Sequence, residues 1–72
     1  MRIRYRIEHH PGLYTSLMIE PEGQKPYEIE HRLSWAMARE YARESLLFRG
    51  VEPVIENPAP YVELFPWVEV PA

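Results

Sequence analysis

Residues 2–8 alternate without a break, with Ile3, Tyr5 and Ile7 on one side and Arg2, Arg4, Arg6 and Glu8 on the other. This is the period-two pattern of a half-buried β-strand. The following His10-Pro11-Gly12-Leu13 stops it: proline sits where φ must lie at about −65°, and glycine where φ must be positive, as in a type II turn. From 13 to 19 the run LYTSLMI mixes aromatic, β-branched and aliphatic residues without strict alternation, which predicts a second strand covered on both faces. The stretch EPEGQKP is a loop with Gly23 at its tip. A third strand is predicted over 27–31, with Ile29 inward and Glu28 and Glu30 outward.

The pattern then changes period. Ser34 is a suitable N-cap for WAMAREYARESLLFR, which is rich in helix formers, and Gly50 stands where a left-handed C′ residue is wanted. At 100° per residue, Leu33, Trp35, Met37, Ala38, Tyr41, Ala42, Leu46 and Phe48 fill one broad apolar arc, and Arg32, Arg39, Glu40 and Arg43 fill the remainder. Glu44 falls at the margin of that arc. After Gly50, prolines at 53, 58, 60, 66 and 71 punctuate short apolar runs. Proline cannot donate to a ladder, so strands here belong at sheet edges; short ones are predicted over 54–56 and 61–65. The expected fold class is α+β: a small antiparallel sheet in β-β-β-α-β-β order with one amphipathic helix packed on one face. It forms a single domain over 1–72, in which 57–72 is a Pro-rich edge strand or arm.

Size and charge narrow the functions. A chain of 72 residues buries only about 60% of its unfolded surface, so a partner adds useful stability. There is no cysteine, which excludes disulfide staples, thiolate zinc sites and thiol nucleophiles. No apolar run approaches the roughly 20 residues of a membrane span, and MRIRYRIE lacks the profile of a signal peptide; a cytoplasmic protein with no membrane partner is expected. Seven arginines against a single lysine, no aspartate and one asparagine suit a thermophilic or GC-rich source. Small, lone, acidic domains of this type also fit regulators carried by phages and mobile elements.

Three groups of residues are candidates for chemistry. Ile7-Glu8-His9 recurs as Ile29-Glu30-His31. In a three-stranded meander both copies end at one edge of the sheet, which gathers Glu8, Glu30, His9, His10 and His31, imidazole and carboxylate groups suited to a divalent metal. The intervening strand holds the copies about 10 Å apart, and adjacent His9 and His10 point to opposite faces, so these are read as strand-end residues; neither a metal nor a cofactor is expected. The second group, Arg2, Arg4 and Arg6, forms a row able to follow a phosphate backbone, against which stand eleven glutamates, a net charge of −3, and outward Glu28 and Glu30 within reach of cross-strand pairing. The third is YVELFPWVEV, whose Tyr61, Phe65 and Trp67 are residue types enriched at interface hot spots.

Catalysis finds no support in the sequence. The three glycines already serve turns and a cap, Lys25 stands outside any phosphate-loop pattern, and Ser16, Ser34 and Ser45 lack a nucleophile motif. The expected function is a non-catalytic interaction or regulatory module that docks on a protein partner, or on a second copy, through a sheet edge and the apolar C-terminal segment. Tyr61, Phe65 and Trp67 are its expected anchors, with Arg2, Arg4 and Arg6 orienting the partner. The alternative is a sheet-based nucleic-acid binder that uses the arginine row.

Overall fold

The computed structural model describes residues 1–71 apart from the side chains of Arg32 and Leu33. It is an α+β fold: β1 (Arg2–His10), β2 (Tyr14–Pro21), β3 (Tyr27–Leu33), α1 (Trp35–Phe48), β4 (Glu56–Ala59), β5 (Val62–Leu64) and β6 (Val68–Glu69). The sheet runs β3-β2-β1-β5-β4 with β6 also on β1, and every pairing is antiparallel. The strand-helix order is the expected one, extended by the two-residue β6.

The first hairpin follows from its turn chemistry. Leu13 N–H donates to His10 O at 2.9 Å across Gly12, whose φ is 77°, and this sets Ile7 opposite Leu17 and Arg4 opposite Glu20. Opposed residues share a face, so Ile3, Tyr5, Ile7, Thr15 and Leu17 meet the helix while the arginines face away from it. Ser16, on that far face, is buried too, so the middle of β2 is covered on both sides.

Along β3 the alternation slips. Leu17 opposes Glu30 but Met18 opposes Glu28, so the register shifts between them and the extra residue is taken up as a bulge around Ile29. Glu28 does point outward. Glu30, expected there with it, instead lies on the helix side beside Leu17, and His31, expected to share a face with Ile29, turns outward against Tyr14. The inserted residue reverses the faces of Glu30 and His31, and a second register shift follows between Leu17 and Thr15.

Helix α1 begins where Ser34 Oγ accepts from Met37 N–H at 3.2 Å and ends in a Schellman turn, with Gly50 N–H to Leu47 O and Val51 N–H to Leu46 O, both at 2.9 Å. Ser34→Ala is expected to cost about 1 kcal/mol of stability, seen as a lower urea midpoint at unchanged slope. The buried stripe of the helix is narrower than the arc of its sequence. Ala38, Ala42 and Leu46 are fully buried, whereas Met37 and Tyr41 are half exposed and Phe48 stands almost entirely in solvent. The two alanines, one turn apart, let the helix lie close against the sheet, so the larger flanking residues overhang it. Arg39, assigned to the wet side, reaches back to the sheet. Leu33 and Arg32 lie outside the described side chains.

The C-terminal segment folds back on its own chain. β4 covers 56–59 rather than 54–56, because Ala59 pairs with Val62 across a two-residue turn at Pro60-Tyr61, while Val51 and Ile55 pack on the core. Past β5, Phe65 and Val68 turn inward to join Ile7, Leu17, Ala38, Ala42 and Leu46. Residues 57–71 include most of β4 together with β5 and β6.

Candidate protein-docking site

The arginine row is present, and it is paired. Arg2 binds Glu22, Arg4 Nη2 meets Glu20 Oε2 at 2.9 Å, and Arg6 Nε meets Glu8 Oε2 at 2.6 Å. The partners are Glu8, Glu20 and Glu22 rather than Glu28 and Glu30, since β2 is adjacent to β1 and β3 lies a strand further away. Trp67 then rests on the row: its ring lies 4.2 Å from the Arg4 guanidinium carbon and 5.3 Å from that of Arg2. Three cations, three carboxylates and an indole make a closed, charge-balanced layer with little positive potential left for phosphate.

The expected tail anchors separate into three environments. Phe65 is only 3% exposed, inside the core. Trp67 is half-buried on the arginine row. Tyr61 remains half exposed, and it is the only described non-glycine residue with positive φ, at 64°. Pro60 fixes φ at the first central position of the β4–β5 turn, and Tyr61 takes the second in the left-handed conformation. Glycine or asparagine ordinarily takes that place, and a bulky residue there is strained.

What holds Tyr61 is a cluster at the end of the sheet. His9 N–H donates to Tyr61 O at 2.8 Å, and the Tyr61 ring leans on His9 at 5.8 Å and on Trp35 at 6.1 Å between centroids. His9 stacks on Trp35 at 4.5 Å and shares a hydrogen bond of 2.8 Å between its Nδ1 and Thr15 Oγ1. Beneath them Arg39 lies 4.9 Å from the Trp35 ring and forks onto Glu63, with Nε 2.8 and 2.9 Å from the two carboxylate oxygens. Burial pushes the Glu63 carboxyl upward; the Arg39 guanidinium, aided by Trp35 and Asn57, outweighs burial and holds it below its ordinary 4.5.

His10 and His31 lie on the opposite face, both against Tyr14, at 4.5 and 6.0 Å. His31 Nδ1 also meets Glu28 Oε2 at 3.3 Å. The histidines thus engage rings and a carboxylate on two faces, and among the described residues no group of three or more metal-ligating side chains converges. Between the β1–β2 turn and the start of α1 runs a shallow depression of about 650 Å³ that includes His9, Leu13, Tyr14, His31 and Trp35. Leu13 projects beside it, 79% exposed.

Compared with known protein families, curated proteins and solved structures, the chain matches none. Function therefore has to be argued from this surface. It offers ring faces, imidazole hydrogen bonds and an exposed leucine, fixed on the rigid ends of β1, β2, α1 and the β4–β5 turn. The sequence singles out Tyr61 but not its ring neighbours His9 and Trp35, nor Leu13 and Tyr14 beside the adjoining depression. The available signal was an aromatic residue directly after Pro60 between two short apolar runs. Among the described residues no helix is long and apolar enough to cross a membrane.

Proposed function

We propose that the protein is a non-catalytic interaction module that docks on a protein partner through the sheet end built from Tyr61, Trp35, His9, Leu13 and Tyr14. The observation that carries this reading is the half-exposed tyrosine held at positive φ. A backbone conformation that opposes its own side chain persists where the displayed ring is needed, and such strain gathers at binding sites. Tyrosine and tryptophan braced in a fixed cluster also lose little freedom on binding, which is why they dominate interface hot spots. The C-terminal segment contributes through Tyr61, since Phe65 is committed to the core and Trp67 to the arginines. The charge balance of the arginine layer weighs against the nucleic-acid alternative.

Two substitutions at one position test the proposal. Tyr61→Ala and Tyr61→Gly remove the same ring, but glycine is unstrained at positive φ, so Tyr61→Gly is expected to be the more stable by about 1–2 kcal/mol. Both are expected to lose a partner captured by the wild-type protein from its native lysate, to the same degree. If both capture that partner as well as wild type does, Tyr61 is only a turn residue and the proposal fails.

A further inference from the structure

The two edges of the sheet are finished differently. β4 is four residues long, contains Pro58 and runs into Pro60, so that edge is short and poor in donors, the usual protection against strand addition. β3 is seven residues long with no proline or lysine and, although it is bulged around Ile29 and carries Glu28 and Glu30, its outer edge pairs with no strand among the described residues. Beside it, on the helix side, lies an apolar surface: Tyr27 is 54% exposed, Ile29 40%, Met37 57% and Tyr41 50%. Ile29, Glu30 and Tyr41 border a depression of about 350 Å³ floored by Leu17, the Glu30 carboxylate accepting from His31 N–H at 2.9 Å within its own chain, and Met37 stands one helical turn from Tyr41 on the same stripe.

We propose that this edge binds a second copy of the chain, joining two sheets through antiparallel β3 strands about a two-fold axis normal to the sheet. That operation keeps both helices on one side of the joined sheet. It therefore sets the Met37–Tyr41 flank of each copy against the same flank of the other, so edge and apolar surface are covered by one act of association, as an isologous interface requires. Area agrees with this occupant. The four half-exposed side chains present on the order of 400 Å² per chain, and two such surfaces with the paired edges reach the ~1,200 Å² at which stable interfaces begin. Glu28, which would burden a self-pairing edge, is occupied within its own chain by Ser16 and His31. Because the β3 strands run antiparallel, the two Tyr61 sites come to lie at opposite ends of the assembly. The inference is independent of the docking role given to Tyr61.

Sedimentation equilibrium on the full chain tests it directly. The wild type is expected at twice 8.6 kDa at concentrations on the order of 100 μM, while Ile29→Lys and Met37→Glu, both at exposed positions, shift it to monomer with at least a tenfold weaker association and an unchanged circular dichroism spectrum. In the wild type alone, amide exchange within 27–33 is expected to slow as concentration rises. A wild-type monomer with concentration-independent exchange overturns the inference, as does a dimer that both folded variants retain. A monomer that instead captures a foreign protein through Ile29 and Met37 also overturns it.

Discussion

Phe65→Ala is expected to lower the unfolding free energy by about 3–5 kcal/mol, the cost of emptying a core aromatic site. A chain of 72 residues holds roughly 4–11 kcal/mol in all at typical per-residue stability, so the variant loses from about a quarter to all of it. Phe65 is 3% exposed and packs with Ile7, Leu46 and Val68. Its N–H also donates to Tyr5 O at 3.1 Å, a backbone bond that alanine keeps, so the loss falls on the packing of the side chain. The comparison that matters is with Trp67→Ala, which strips a half-buried indole from the arginine layer and opens no cavity in the core. Urea titration of both is expected to show the larger fall for Phe65→Ala. Equal stability of Phe65→Ala and wild type would mean that the C-terminal segment does not fold back on its own chain.

Arg39→Ala is the second large effect. The Glu63 side chain is 3% exposed, and removing its partner leaves a carboxylate with little access to water, at a cost of about 3 kcal/mol. The double substitution Arg39→Met with Glu63→Leu is expected to recover most of this, because it removes the buried carboxylate together with its partner. The pH dependence separates charge from packing. In the wild type the folded value of Glu63 lies below its ordinary 4.5, so the contribution of the pair is fully present at neutral pH. It is lost as pH falls from the region of 4.5 through the lower folded value. In Arg39→Ala burial is opposed only by the hydrogen bonds from Trp35 and Asn57, so the folded value moves upward and the loss of stability on the acid side becomes smaller than in the wild type. Thermal melts between pH 3 and 7 read both slopes, and parallel profiles would show that the fork between Arg39 and Glu63 has no electrostatic role.

The candidate site was only half legible in the sequence. Tyr61 was visible as an aromatic in a proline-rich segment, but its strain arises from the pairing of Ala59 with Val62, which forces a two-residue turn onto Pro60-Tyr61. Trp35 and His9 are separated by 26 positions of chain yet stack at 4.5 Å, a contact that no local pattern encodes. The histidine repeat reads in sequence as two equivalent strand ends. The bulge around Ile29 makes them inequivalent, sending His9 toward the helix and His31 away from it.

Taken alone, the sequence determined the local elements and their order. The alternation of 2–8, the Pro-Gly turn, the serine and glycine that bound the helix, and the α+β class all rest on dihedral preferences and on periodicities of two and 3.6 that act between near neighbours. Tertiary structure alone decided which of the eligible surfaces were covered. It placed Phe65 in the core and Trp67 on the arginines, matched Arg4 with Glu20 and Arg39 with Glu63, and left Tyr41, Met37 and Tyr61 half exposed. The reason is the narrow footprint of a helix seated on Ala38 and Ala42: one face of a small sheet buries only the stripe directly beneath it, and strand pairing between distant segments determines which residues occupy that stripe.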